Sequence, residues 1–299
     1  MGGFLSRFRR SSLQANPKTE IARLSKDQRR KILEERSEAE RKPVYATGTG
    51  RCGTHFLQRL MSCDPLLDAR HMPAPEVDSF TRYCLWHGLA IDHGGFWSVR
   101  RSMLAEAAAE FQVYFESNPY LTFSIWELHA RLGAGVILLL RNALDVVNSH
   151  YVKGWYESPC FVDDPLLPQG YQAGMPPHYV FGRITPHGED FERWQGLTRI
   201  GKISWMWSTV NLHAYDLLQN IPEQSRLLLR IEELDFKRYL ELHSFVGGYC
   251  PVSRDMFDAI KKERPGRGES YRSKQSWTAR EIAEFEIETV EARRRLGYE

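Results

Sequence analysis

Residues 47–57 read TGTGRCGTHFL, and their residue types and spacing are suited to binding an anion. They follow a short β-prone run at 44–47 and precede apolar residues spaced as in a helix. The glycines permit positive φ angles and let a ligand approach the backbone closely. A helix beginning near Thr54 would point unpaired N–H groups and the positive end of its dipole at that ligand. Arg51 adds a planar fork of donors that matches phosphate or sulfate.

The loop lacks the lysine of an ordinary ATP- or GTP-binding loop. That motif places Gly-Lys-Ser/Thr after four spacer residues, and the stretch 48–55 contains no lysine. A nucleoside triphosphate hydrolase is therefore disfavoured. A glycine-rich turn can also simply join a strand to a helix, so the loop alone leaves both interpretations open.

A second segment, GVILLLRNALDVVNSHY at 135–151, has the features of another anion site. Its continuous apolar run predicts a parallel strand covered on both faces. Arg141 follows that strand at its carboxyl end, where ligands bind in open α/β sheets. Ser149 lies about two helical turns further along. A single arginine at a strand end is more often solvated or salt-bridged, but two such segments together favour a phosphate-bearing ligand.

In this order, the two segments resemble the sulfotransferases that use 3′-phosphoadenosine 5′-phosphosulfate (PAPS). The resemblance implies that Arg141 and Ser149 hold the 3′-phosphate. Ala143 stands where the family usually has proline. By the same resemblance, the 5′-phosphosulfate is cradled by Gly50, Arg51, Cys52, Gly53, Thr54 and His55.

Three later segments extend the resemblance over residues 43–298. RIEEL at 230–234 is similar to a late strand and its acidic turn, and the ending at 296–298 is similar to that of bacterial members. The stretch 263–277, ERPGRGESYRSKQSW, resembles the basic loop that closes over the nucleotide. From that loop, the resemblance implies cofactor contacts by Arg264, Arg267 and Gly268.

Alternating strands and helices predict an α/β fold. With the resemblance, we expect a three-layer α/β/α domain with a mainly parallel central sheet and a P-loop-like phosphosulfate-binding loop. The pattern predicts helices at 99–117 and 204–218 and a strand at 121–125. Thr278 and Glu281 form a predicted capping box for a final helix that ends at Gly297.

The charge divides the chain into two regions. Residues 1–42 carry 12 Lys/Arg and 6 Asp/Glu, and because the whole chain is +2, residues 43–299 are net acidic. We therefore predict a basic, partly helical N-terminal extension at 1–42 and a single domain at 43–299, with a long insert at about 154–201. The start MGGFLS matches the N-myristoylation pattern, but a disordered start is favoured over lipidation.

Composition narrows the class of protein. Five scattered cysteines without CxxC spacing predict reduced thiols in a cytoplasmic protein. The sequence contains no run of 18 apolar residues, so it predicts no membrane span. The acidic body argues against nucleic acid as the main partner, and a homodimer is left open.

Sulfuryl transfer requires positioned reactants and stabilisation of negative charge rather than a metal, and no metal-ligand spacing is present. Arg51 would stabilise the leaving phosphate, and its pKa above about 12 excludes proton donation. The resemblance places the general base in ARHMPAPEVD. Glu76 is the first choice and His71 the second, and each could instead be a surface polar residue.

The acceptor is the least defined part of the prediction. Aromatic residues at 86–97 and 155–194 are interleaved with acids, which would suit a small, partly cationic or hydroxylated ring. An equally good interpretation is that these aromatic residues pack in the core and that the acids are solvated. We expect a small-molecule acceptor. The alternatives are a carbohydrate acceptor, or a kinase-like nucleotide-binding protein without sulfuryl transfer.

Overall fold

The computed structural model describes residues 23–157, 176–263 and 274–299, which form an α/β protein around one five-stranded sheet. All strand pairs in this sheet are parallel, and the strand order is β2-β3-β1-β4-β5. The strands are β1 Val44–Thr47, β2 Leu67–His71, β3 Val113–Ser117, β4 Gly135–Leu140 and β5 Arg226–Arg230. The first strand within the described residues is thus the central one.

Thirteen α-helices surround the sheet within the described residues. They are α1 Lys26–Glu34, α2 Glu38–Arg41, α3 Thr54–Met61, α4 Pro75–His87, α5 Gly94–Ala109, α6 Ile125–Leu132, α7 Ala143–Val152, α8 Pro177–Phe181, α9 Glu189–Gln195, α10 Arg199–Gln219, α11 Phe236–Phe245, α12 Arg254–Lys262 and α13 Ala279–Arg295. None of these helices is long and apolar enough to cross a membrane.

The alternation of side chains along β4 explains why helices cover both faces of the sheet. Its residues are all fully buried. Val136, Leu138 and Leu140 pack in one apolar cluster with residues of α7, α10 and α13. Ile137 and Leu139 point to the opposite face and pack with residues of α3, α11 and α12. The predicted three-layer α/β/α fold with a parallel central sheet is confirmed.

Two element predictions near the middle of the chain are wrong. The helix predicted at 99–117 ends at Ala109, and residues 113–117 form β3. The strand predicted at 121–125 is instead the end of a 3₁₀ turn (Pro119–Leu121) and the start of α6. The first error reflects Glu116, whose carboxylate lies 3.3 Å from the buried Arg100 guanidinium. This pairing allows a polar residue inside a fully buried strand, which a hydrophobic pattern does not reveal.

The predicted ends of the C-terminal helix are found in the structure. Thr278 caps α13 through the expected reciprocal capping box with Glu281. Gly297 follows the helix with a φ of 72°, a left-handed conformation that glycine adopts without strain. The helix predicted at 204–218 is longer and begins at Arg199 behind a Thr198 cap.

Candidate functional site

The loop between β1 and α3 has the backbone of an anion-binding turn. Gly50, Arg51 and Gly53 have φ angles of 79°, 55° and 104°. Arg51 is not a glycine, so its left-handed conformation is strained, and such strain is concentrated at functional sites. α3 begins directly after Gly53, and as a glycine this residue has no side chain that could cap the helix. A helix start without a side-chain cap is suited to binding an anion.

Gly48 is the tightest point of this loop. A Cβ added at Gly48 would lie 2.3 Å from the Leu139 carbonyl oxygen and 2.7 Å from Cys52 Sγ. Leu139 belongs to β4, so the loop crosses directly over the neighbouring strand. Only glycine permits this approach, because a fixed carbonyl cannot move aside as a flexible side chain can.

We expect Gly48→Ala to lower the free energy of unfolding by about 1–3 kcal/mol or more, because the backbone must shift. Gly95→Ala in α5 is the matched control, since a Cβ there meets nothing within 4 Å. That control should be neutral or stabilising by about 0.5–1 kcal/mol. Urea unfolding of both variants measures the difference. Equal midpoints would show that the close approach at Gly48 is unimportant.

The structure brings Arg51, Arg141 and Ser149 together at the carboxyl ends of β1 and β4. Arg51 Nε donates to Ser149 Oγ over 2.7 Å. Arg141 Nη1 donates to the Arg51 carbonyl oxygen over 3.2 Å, and its Nη2 donates to Asp145 over 2.7 Å. The two predicted anion-binding segments therefore form one continuous site.

The positive charges of this site are only partly compensated among the described residues. Burial and the neighbouring positive charge of Arg141 lower the pKa of Arg51. Asp145 neutralises Arg141 on one side, but the Arg51 side chain donates only to a hydroxyl group among its described hydrogen bonds. A phosphate or sulfate between these groups would accept charge-assisted hydrogen bonds and remove the repulsion.

His150 is a component of the site that the sequence analysis missed. Its ring is buried, and a Cβ at Gly50 would lie 3.6 Å from its Cε1 atom. Burial, with the charges of Arg51 and Arg82, lowers the pKa of His150 to about 3. The ring is therefore neutral at physiological pH and supports the loop without adding charge. Its place directly after Ser149 on α7 was the available signal.

The RIEEL segment and the C-terminus meet beside Arg141. Glu232 accepts hydrogen bonds from the Asn142 backbone N–H over 2.5 Å and from its side-chain amide over 2.8 Å. Tyr298 donates to the other Glu232 oxygen over 3.4 Å, and Arg230 Nε donates to the Leu296 carbonyl oxygen over 3.0 Å. These contacts fix the start of α7, which carries Ser149.

Thr54, His55 and His71 form a group at the first turn of α3. The His71 Nε2 and Thr54 Oγ1 atoms are 3.2 Å apart. The rings of His55 and His71 pack edge to face with centroids 5.3 Å apart. Burial, with the neighbouring His55, lowers the pKa of His71 to about 4. Without a bound anion, His71 is thus a neutral and weak base.

Glu76, the other predicted base, lies in the first turn of α4 with its side chain 60% exposed. Its Oε1 is 3.6 Å from Nδ1 of His178 in α8. The pKa of Tyr120 is raised to about 12, chiefly by burial and to a smaller extent by the negative charge of Glu76. Tyr120 follows Pro119, whose Cβ lies 3.6 Å from a Cβ at Gly50. Glu76 therefore lies near Tyr120 and α8, and no contact between its carboxylate and the loop is described.

Cys52 is a buried packing residue of the loop. It is fully buried, and burial raises the pKa of its thiol to about 11. The thiol is therefore protonated and inert at neutral pH. The three residues expected from the basic C-terminal loop, Arg264, Arg267 and Gly268, lie outside the described residues.

The described acids of the aromatic regions lie in water. Asp92, Glu157, Glu189 and Asp190 are all exposed. Buried aromatics of these regions, such as Trp194, belong to the core cluster against β4. The interpretation of these residues as core aromatics and solvated acids therefore describes them better than an aromatic pocket for a cation.

A buried polar network supports the 3₁₀ turn beside the loop, and the sequence analysis did not identify it. The Asn118 side-chain amide donates to Asp78 over 2.7 Å and to Glu116 over 2.8 Å. Its carbonyl oxygen accepts from the Tyr120 N–H over 3.0 Å. Arg100 donates to Asp78 over 2.6 Å. The network thus fixes the direction in which the chain leaves β3.

Comparison with known proteins does not assign a family to this chain. No protein-family model matches it, and no curated protein matches its sequence. Its function must therefore be inferred from the loop after β1, the strand end before α7 and the side chains around them.

Proposed function

We propose that this protein transfers the sulfuryl group of PAPS to a hydroxyl or amine of a small-molecule acceptor. The observation that supports this most is the meeting of Arg51, Arg141 and Ser149 at the ends of two adjacent parallel strands. A ligand with one phosphate at the helix N-terminus and a separate phosphate near α7 satisfies both groups. The ligand with this arrangement that the resemblance implies is PAPS.

In the proposed reaction, the acceptor oxygen or nitrogen attacks sulfur in line with the bond to the 5′-phosphate. The new bond to sulfur forms as the bond between sulfur and the phosphate oxygen breaks. The acceptor proton passes to Glu76 or, as the second choice, to His71. Arg51 and the first-turn N–H groups of α3 stabilise the charge on the departing adenosine 3′,5′-bisphosphate.

Two alternatives make different demands on the same site. A kinase-like protein would bind ATP with Mg²⁺, although the loop lacks the lysine that such loops use. A sulfotransferase acting on an anionic polysaccharide would favour a basic cleft, whereas the body of this chain is net acidic. Both observations favour a sulfotransferase with a small acceptor.

Thermal unfolding with added nucleotide tests the donor. We would compare adenosine 3′,5′-bisphosphate with ATP plus Mg²⁺, and stabilisation by ATP alone would reject PAPS as the donor. Radiolabelled transfer from PAPS to libraries of amines, alcohols and phenols, beside heparan-type chains, tests the acceptor. Labelling of the polysaccharide alone would reject a small-molecule acceptor.

We expect Arg141→Ala to weaken binding of adenosine 3′,5′-bisphosphate far more than binding of adenosine 5′-phosphosulfate, which lacks the 3′-phosphate. A charge-assisted contact contributes about 1.5–3 kcal/mol, or about 10- to 150-fold in affinity. Isothermal titration calorimetry measures both ligands. Arg101→Ala, at an exposed arginine of α5, is the control and should bind both ligands normally. Equal losses for the two ligands would make Arg141 a structural residue.

A further inference from the structure

Arg82 in α4 is a buried charge without a hydrogen-bond partner among the described residues. Its side chain is 1% exposed, and Nε, Nη1 and Nη2 all lack an acceptor there. A guanidinium group carries five N–H donors and stays protonated in proteins. Burial lowers its pKa, but only to about 10, so Arg82 remains charged at neutral pH. A buried charge of this kind is strongly unfavourable unless an anion accompanies it.

Arg100 shows how this fold treats a buried arginine whose role is structural. It is also fully buried, and its Nη2 lies 2.6 Å from Asp78 and 3.3 Å from Glu116. Two carboxylates therefore compensate its charge. Arg82 has no such ion pair within the described ranges, although it lies one helical turn from Asp78. Arg82 is therefore left without a compensating carboxylate within the described ranges.

The surroundings of Arg82 are aromatic. Its guanidinium lies 5.2 Å from the centre of the Phe123 ring. The nearby Tyr120 and Tyr156 hydroxyl groups act to raise the pKa of Arg82, against the larger effect of burial. Tyr120 donates to the His178 carbonyl over 3.1 Å, and Tyr156 donates to the Ile184 carbonyl over 2.6 Å. The two phenol protons are thus directed at the backbone, and the site offers aromatic surface beside the positive charge of Arg82, with Arg183 acting on the same two tyrosines.

Arg82 lies near the loop between β1 and α3 but is not part of it. Both Arg51 and Arg82 contribute, after burial, to the lowered pKa of His150, so the histidine ring lies within reach of both charges. The Arg82 guanidinium lies over Phe123, whereas Arg51 donates to Ser149 and Arg141 donates to Asp145. An anion bound by Arg82 would therefore differ from the phosphate groups proposed for the loop and for α7.

We propose that Arg82 binds a carboxylate of the acceptor, which makes the acceptor a small hydroxyaryl or aminoaryl carboxylate. The aromatic rings of Phe123, Tyr120 and Tyr156 would contact its ring. This inference rests on the proposed function, because it places the acceptor beside the loop that holds the donor. Tyr120 donates to the His178 carbonyl of α8, and Phe181 of α8 packs on Tyr83 of α4, so we expect α8 to move when the ligand enters.

A pair of ligands that differ in charge but hardly in shape tests the proposal. Calorimetry would measure 4-hydroxybenzoate and 4-hydroxybenzamide with the full chain in the presence of adenosine 3′,5′-bisphosphate. We expect the wild-type protein to bind the carboxylate about tenfold or more tightly than the amide, as for a hydrogen-bonded charge pair. Arg82→Met should bind both ligands equally. No preference in the wild type, or an unchanged preference in Arg82→Met, would overturn the proposal.

Two further measurements separate this proposal from its alternatives. Thermal unfolding should show Arg82→Met to be at least as stable as the wild type without ligand, because it removes an unpaired buried charge. If that variant fails to fold, Arg82→Lys replaces it and should keep a preference for the carboxylate, and loss of the preference would count against the proposal. Binding of adenosine 3′,5′-bisphosphate is also measured without 4-hydroxybenzoate or 4-hydroxybenzamide. A carboxylate preference without bisphosphate binding would reject PAPS as the donor and leave the Arg82 site standing, whereas bisphosphate binding without the preference would reject the Arg82 site alone.

Discussion

Arg51→Ala is expected to fold normally and to lose about 10²–10³ in kcat, the usual effect of removing one preorganised contact to a developing negative charge. Arg51 lies in the loop with a strained left-handed backbone, and its side chain is held by Ser149. This geometry sets its charge in place before the reaction begins. Radiolabelled sulfuryl transfer from PAPS measures the loss.

Arg59→Ala is the matched control for this variant. Arg59 lies on α3, and its described ion pair is with Glu263. Removing it changes the net charge equally but leaves the loop intact, so kcat should stay within a few-fold of wild type. Near-normal transfer by Arg51→Ala would exclude a role for this guanidinium in stabilising the leaving phosphate.

Glu76→Gln is expected to lower kcat by about 10²–10⁴, the usual contribution of a general base. The Glu76 carboxylate is exposed and therefore accessible to an acceptor. His71→Gln should cause a smaller loss, because its pKa of about 4 makes the free imidazole a weak base. Single-turnover kinetics with saturating PAPS measure both variants.

Binding of adenosine 3′,5′-bisphosphate is the control for this pair, and Glu76→Gln should leave it unchanged. A bound anion near His71 would favour its protonated form and raise its pKa. The opposite ranking, with the larger loss in His71→Gln, would therefore assign the base to His71. Equal small losses would show that neither residue accepts the acceptor proton.

The strands and helices that carry the loop were predictable because local pattern and global fold agree there. The apolar run at 136–140 is buried on both faces, as its composition indicates. The glycines at 48–53 mark the turn that β1 and α3 require. In contrast, β3 was missed because Glu116 and Ser117 are polar yet fully buried. The charge of Glu116 is compensated by Arg100 on α5, a pairing that no local pattern identifies.

The site was predictable only in its local parts. The positions of Arg141 at a strand end and Ser149 on the next helix follow from helical spacing. The hydrogen bond from Arg51 to Ser149 joins residues that are far apart in the chain, and it depends on the pairing of β1 with β4. The sequence shows Arg82 only as one arginine in a helix, because its burial arises from tertiary packing.

The central place of β1 has a consequence for how the protein is made. Its backbone groups are paired with β3 on one side and β4 on the other. During translation, the strand that carries the loop therefore lacks its β3 partner until residue 117, and its β4 partner until residue 140, has left the ribosome. This high contact order slows folding and leaves a β-prone segment open to aggregation in the nascent chain. A chain truncated before β4 would carry every residue of the loop and still bind no anion.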